Sequence, residues 1–371
     1  MKFDYDEIET ESTEYTGDLA QDPLADKSEE WLASGKNPMT PFGMFLSKRK
    51  KGKVRSKTLQ AWERTMVQFV EYMEGTDRHA ACPNEDSIRG FINHRLNVDD
   101  VEIGTVKSDV RRLNAWFRFM MDSYQFEAHT SEWNPIRNVF EEMDWEKEPP
   151  KPPHPIPLDT MREIVGGITN IRDRAIVGIQ LKLGLRATEV CNIKLEDVAL
   201  NHEDIRNHYE ELGSSPYIEG RENVIFIPSK NERQGNKSAR ASLLPLDEEL
   251  RSLLMWWLLI RPDADRPWLF LSKSNHSRLG DKDVNSVWRE HFRPEYDETE
   301  LYRAVTSHFG RHYFTNRMEQ QGVRRELYKY MRGDNIKEDY EDGAFTEYIH
   351  TNYEDIEGPY GRNIYRLGLE R

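Results

Sequence analysis

Three short segments of the 371-residue chain hold residue types that could do chemistry on a charged substrate. The first is Gly184-Leu185-Arg186-Ala187-Thr188-Glu189, where an Arg follows a Gly break and stands one turn before a Glu. That spacing alone equally describes a surface i,i+3 ion pair. The second is Thr306-Ser307-His308-Phe309-Gly310-Arg311-His312. His308 and Arg311 lie one helical turn apart and share a face. Guanidinium groups bind phosphate oxygens two at a time, and an imidazole adds a donor or a proton relay, so this segment suits a phosphate. His308 and His312 at i,i+4 also have the spacing of a zinc pair, but the carboxylate of an HExxH helix is missing and no third ligand stands out. The third is Thr346-Glu347-Tyr348-Ile349-His350, whose Tyr is one of sixteen and by itself reads as core.

Helices and a hairpin must position these residues. Leu59, Trp62, Met66, Phe69, Val70 and Met73 recur at spacings of three and four, which predicts a helix from Thr58. Ile88 to Leu96 and Val106 to Tyr124 repeat the pattern, the latter with Lys107, Arg111 and Arg112 on its opposite face. These helices form a small domain over residues 38–147, with Asn134-Pro135 near its end. Six prolines between Pro149 and Pro157 make an extended linker over 148–157. Beyond it, residues 158–371 carry helices at Leu158 to Ile168 and Asp173 to Leu183. A hairpin follows, of Asn223 to Pro228 and Leu243 to Leu246, whose polar connection Asn231 to Ala241 contains Gly235. Further helices fall at Asp247 to Ile260, Asp281 to His291, Val305 to Gln320 and Arg324 to Met331. The expected fold is mainly α with a small β-sheet, in two domains.

Hydrophobic residues make up 37% and charged residues 32%, enough apolar content for a core and too little for a membrane protein. The longest apolar run, Leu253 to Ile260, is far short of the roughly 20 residues of a membrane span. Two cysteines without CxxC spacing exclude a disulfide scaffold and a thiolate zinc site. The start of the chain reads as neither signal nor transit peptide, so a cytoplasmic location is expected. The net charge of −14 argues against nucleic acid until its distribution is considered. Residues 1–30 alone hold eleven Asp/Glu and two Lys, which predicts a disordered acidic tail over 1–37. Lys48, Arg49, Lys50, Lys51, Lys53, Arg55 and Lys57 then place seven positive charges in ten residues, a local basic surface of the kind that meets DNA phosphates. A solvated charge run has the same composition. An acidic exterior also fits a protein working in high salt.

Taken in order, Gly-Leu-Arg-x-x-Glu, a hairpin with lysines, His-x-x-Arg and Tyr-x-His resemble the tyrosine recombinase (phage integrase) family. The resemblance covers almost the whole chain after about residue 38. The acidic tone and the phrase Lys329-Tyr330-Met331-Arg332-Gly333-Asp334 look like integrase-like members from halophilic archaea. The resemblance implies a helical core-binding domain followed by an α+β catalytic domain. It implies that Arg186 and Arg311 clamp the scissile phosphate, that Glu189 orients Arg186, and that His308 bonds the phosphate and accepts the nucleophile's proton. A hairpin lysine would protonate the leaving 5′ oxygen; Lys230 is the first choice and Lys237 its competitor. Tyr348 matches the nucleophile, with Tyr353 second and Tyr340 third. The family's Leu-Gly-His (or Trp) position holds Asp334 here, which must be protonated or paired, for example with Arg332, to face a phosphate. The segment from Gly333 to Tyr348 is also longer than usual.

The implied activity is site-specific DNA strand cleavage and rejoining through a 3′-phosphotyrosyl intermediate, with no cofactor, metal or ATP. The implied partner is double-stranded DNA, gripped by both domains, with a homo-tetramer on two DNA sites and residues after Tyr353 docking onto a neighbour. Two rival readings remain at this point. One is a non-catalytic DNA-binding protein on the same fold; the other is a zinc hydrolase using His308 and His312.

Overall fold

In the computed structural model the described residues are 22–52, 54, 56–123, 125–126, 129, 133–146, 149–334 and 353–369. The chain divides into two units, Met1–Pro149 and Pro150–Arg371.

The first unit is built from helices α1 (Ala25–Ala33), α2 (Met39–Lys51), α3 (Ser56–Met73), α4 (Glu85–Asn97), α5 (Ile103–Met121) and α6 (Pro135–Glu142). The heptad-like apolar spacing turns one face of each long helix inward. Met66, Phe69 and Val70 of α3 meet Ile88 and Phe91 of α4 and Val110, Leu113, Trp116 and Phe117 of α5 in one core. Asn84 caps α4 by accepting from the Ser87 amide, and Asn134 caps α6 by accepting from the Arg137 amide ahead of Pro135 at the first turn. The disordered tail expected over 1–37 does not hold for its described residues. Residues 25–33 are helix, because Leu24 and Trp31 find buried places in this core; residues 1–21 lie outside the described part.

The second unit begins with α7 (Leu158–Gly167), α8 (Ile171–Leu183) and α9 (Ala187–Val190). Strand β1 (Val198–Ala199), helix α10 (Glu203–His208) and strands β2 (Val224–Ile227) and β3 (Ser242–Pro245) follow. The sheet is antiparallel in the order β1-β2-β3, with Ile225 opposite Leu244 and Phe226 opposite Leu243. Helices α11 (Glu248–Ile260), α12 (Asp281–Tyr296), α13 (Ser307–Gln320), α14 (Arg325–Met331) and α15 (Tyr353–Asn363) complete it. Helix α8 packs against α11, α12 and α13 and is buried nearly all round, as a central helix must be. Among the described residues no helix is long and apolar enough to cross a membrane.

The residues after Tyr353, expected to dock onto a neighbour, pack in this single chain on their own unit. Tyr353, Ile356, Tyr360, Tyr365, Leu367 and Leu369 are buried in the core of their own unit. A buried charge network fixes this tail. Lys182 Nζ, fully buried on α8, donates to Asp247 (2.6 Å), Glu249 (2.5 Å) and the Tyr365 carbonyl (2.6 Å). Glu249 in turn accepts from the Leu367 (2.8 Å) and Gly368 (2.6 Å) amides. Lys182→Met strands two carboxylates away from water. It should lower the stability of this unit by about 3–5 kcal/mol, the usual cost of removing one partner of a buried pair, read as a lower urea midpoint.

Candidate active site

Gly184 ends α8 in the left-handed conformation (φ +66°), where a Cβ would lie 2.6 Å from the Phe314 ring. The turn delivers Arg186 to the start of α9. Glu189, 1% exposed, accepts from the Arg186 amide (2.9 Å) and guanidinium (3.0 Å), so a buried carboxylate holds a half-buried arginine. Ser238, from the β2–β3 connection, donates to Glu189 at 2.5 Å and accepts from Arg186 at 3.3 Å.

Arg311 enters from α13 and is 4% exposed. Its Nη1 donates to the Gly184 carbonyl (2.8 Å) and the Arg332 carbonyl (3.0 Å), and Arg186 Nη1 reaches that same Arg332 carbonyl at 3.2 Å. Burial, and then the charges of Arg186 and Arg332, lower the Arg311 pKa to about 9, which still leaves it cationic at neutral pH. The two guanidinium groups converge on Asp334. Its Oδ1 accepts from Arg186 Nη2 at 2.8 Å and from Arg311 Nη2, and its Oδ2 lies 3.0 Å from Arg332 Nη2. Asp334 is thus paired with Arg332, as the sequence suggested, and with both predicted clamp residues as well. Gly333 makes this possible: its φ is +63°, and a Cβ would lie 2.6 Å from the Ser238 Cβ.

Beside this cluster lies a cleft of about 120 Å³ lined by Arg186, Lys237, Asn285, Ser307, His308 and Arg311. Loss of water around His308, then the positive charges of Arg311, Arg186 and Lys237, lower its pKa below the ordinary 6.5. The imidazole is therefore neutral at pH 7 and free to accept a proton. His312 opens instead into a separate groove with Pro153, His154 and Tyr313, so the two imidazoles do not share a cavity. The hairpin places the two candidate lysines differently. Lys230 sits at the end of β2 with its amide on the Ser238 carbonyl (2.9 Å), outside the cleft lining, whereas Lys237 lines the cleft.

Tyr348 and Tyr340 lie outside the described residues. Tyr353 is 6% exposed on α15, donates to Glu357 at 3.0 Å and lies under Arg221, 4.6 Å from ring centroid to guanidinium. Burial and the Glu357 bond raise its pKa, which opposes formation of a phenolate. Neither contact belongs to the arginine cluster.

In the first unit, Lys48, Arg49, Lys50 and Lys51 form the last turn of α2, a position the helix dipole also favours. Lys48 and Arg49 border a cleft of about 530 Å³ with Phe45, Arg118 and Phe119. Lys57 lies in the first turn of α3; Lys53 and Arg55 are outside the described residues. Lys107 and Arg111 lie over the Phe140 ring. Arg112 is committed inside the unit, to Asp109 (2.6 Å) and Thr65 (3.2 Å). Sequence reasoning missed Arg118 and Ser238. Arg118 lies seven residues, two helical turns, beyond Arg111 on α5, but nothing local singles out Ser238, whose role arises from the hairpin's return.

Residues 158–333 match the model of the phage integrase family. The chain is 25% identical over 214 residues to tyrosine recombinase XerA of Pyrococcus horikoshii, covering 58% of this chain and 62% of the relative. It is 27% identical over 194 residues to tyrosine recombinase XerA of Thermococcus kodakarensis, covering 50% and 57%. The chain thus spans about three fifths of the length of these relatives. Its fold is similar to lambda integrase(75-356) in a dimer bound to a COC' core site, with TM-score 0.60, 12% identity, and 82% and 97% of the two chains covered. It is also similar to the Tn1549 transposon integrase in complex with transposon right end DNA, with TM-score 0.56, 18% identity, and 85% and 97% covered. The mainly helical fold with its small sheet is the one these integrases share. The second unit therefore carries a match to the phage integrase family over residues 158–333, the region that holds Arg186, Glu189, His308 and Arg311.

The placement of Lys237 has a direct readout. The His308 imidazole should titrate below pH 6.5 by NMR, its signal assigned with His308→Gln. Lys237→Met removes a nearby positive charge and should move that midpoint upward, while Lys230→Met should leave it in place. The opposite pattern would put the wrong lysine at the cleft.

Proposed function

We propose that this protein is a site-specific DNA recombinase that cuts and rejoins strands through a 3′-phosphotyrosyl intermediate. The observation that carries the reading is the convergence of Arg186 and Arg311 on one anion beside a cleft holding His308 and Lys237. Two guanidinium groups there favour a phenolate and stabilise the charge that develops on a five-coordinate phosphorus. In the step we propose, the Tyr348 oxygen attacks the scissile phosphorus while His308 takes the phenol proton. The bond to the 5′ oxygen breaks, and Lys237 supplies that oxygen with a proton. The phosphate stays esterified to tyrosine, so a 5′-hydroxyl from a second duplex can reverse the reaction with no external energy source. Glu189 and Ser238 act through Arg186 by fixing its orientation.

The basic end of α2 and the α5 residues Lys107, Arg111 and Arg118 would meet phosphates of double-stranded DNA. A tetramer on two DNA sites is our proposal for the assembly. It is supported by the family and by the lambda integrase tetramer bound to a Holliday junction, whose fold is similar (TM-score 0.58). The same reading places the chain in the cytoplasm. The excess of 66 Asp+Glu over 52 Lys+Arg suits a salt-rich interior.

The test is a nicked duplex bearing the candidate site, incubated with the full chain in EDTA and resolved for covalent protein–DNA adduct. Wild type and Tyr353→Phe should form adduct, and Tyr348→Phe none. Arg186→Ala and Arg311→Ala should each slow its formation by about 100-fold or more, the usual scale for losing one transition-state donor. DNA binding with no adduct in any variant would favour a non-catalytic DNA-binding protein on the same fold.

A further inference from the structure

The clamp in this structure is already engaged, by a group of the chain itself. Both oxygens of the Asp334 carboxylate are taken up by three guanidinium groups: Arg186 (2.8 Å) and Arg311 on one, Arg332 (3.0 Å) on the other. A carboxylate and a phosphodiester each carry one negative charge on two exposed oxygens, and guanidinium forks bind both in the same manner. Exchanging one for the other leaves the charge of the cluster unaltered. Arg332 is also held in place from behind, its Nη1 donating to Thr315 at 3.0 Å. Its backbone carbonyl receives Arg186 and Arg311, so the three side chains are organised as one unit.

Accepting Arg186 and Arg311 as a phosphate clamp, we propose that Arg332 is a third phosphate-contacting guanidinium, and that Asp334 is an internal ligand which the scissile phosphate displaces. Asp334 then weakens phosphate binding and keeps the site closed to anions that bring no further binding energy. A duplex, held also by contacts elsewhere, can overcome it. The competing arrangement keeps Asp334 in place as a fixed support for the arginines, with phosphate bound only on the His308 and Lys237 side. The two differ in sign.

Inorganic phosphate is titrated calorimetrically into the full chain in low-chloride buffer. Asp334→Asn should bind it at least tenfold more tightly than wild type, and Asp334→Ser, equally neutral, should move the same way. Adding Arg332→Gln to Asp334→Asn should remove most of the gain. Without phosphate, Asp334→Asn should unfold at a lower temperature, because three guanidinium groups are left facing one another, and phosphate should restore it. Equal or weaker phosphate binding by the neutral variants, or no binding by any of them, would overturn the inference. The adduct assay reports separately on the recombinase reading. A gain in phosphate affinity without adduct keeps the three-arginine site and removes the enzyme, while adduct without a gain does the reverse.

Discussion

Two guanidinium groups side by side repel each other, and a third makes the arrangement worse; the second unit is organised around that constraint. Unit charges about 4 Å apart interact by several kcal/mol near a protein surface, so Arg186, Arg311 and Arg332 can share one place only with anions between and behind them. Glu189 stands behind Arg186 and Asp334 between all three. Backbone carbonyls of Gly184 and Arg332 take further donors without adding charge. What results is a cationic pocket that is stable in the absence of any substrate and retains directed N–H groups.

The fold supplies each of those partners from a different place. Gly184 ends the buried helix α8 so that Arg186 emerges at its tip. Helix α13, packed on α8, brings Arg311 alongside with His308 one turn earlier. The β2–β3 connection returns Ser238 to Glu189 and leaves Lys237 on the cleft wall. Gly333, in a conformation that side chains avoid, turns the chain at the end of α14 so that Asp334 points back into the cluster. The Lys182 network, in the last turn of α8, fastens the C-terminal tail to the same central helix. One buried helix therefore anchors both the clamp and the tail.

The parts of the site that lie within one helical turn were legible in the sequence. Three-residue spacing puts Arg186 with Glu189, and His308 with Arg311, on one helical face; their place in one site came from the family resemblance, and helices α3, α4 and α5 from apolar periodicity. Contacts between residues far apart along the chain were not. Nothing local to Ser238 signals its bond to Glu189, and the threefold pairing of Asp334 depends on a turn at Gly333 whose geometry a sequence does not display. Lys230 looked the better lysine because it closes a strand, but the hairpin places Lys237 on the cleft. Missed helices have local causes too: α2 contains Pro41 and Gly43, and α15 contains Gly358, Pro359 and Gly361, which mask the helical pattern. Helix α1 was hidden by the acidic charge around its one buried Trp. The nucleophile is a family-borne expectation at Tyr348, and Tyr353 is held in the core.

The most direct test of this account is the chemical identity of the covalent link. The adduct formed in EDTA is trimmed with nuclease and trypsin and the modified peptide sequenced by mass spectrometry, with the released strand end analysed in parallel. The account predicts a nucleotide joined through its 3′-phosphate to Tyr348 and a released strand ending in a free 5′-hydroxyl. Attachment through a 5′-phosphate, or attachment to a residue other than Tyr348, would contradict it.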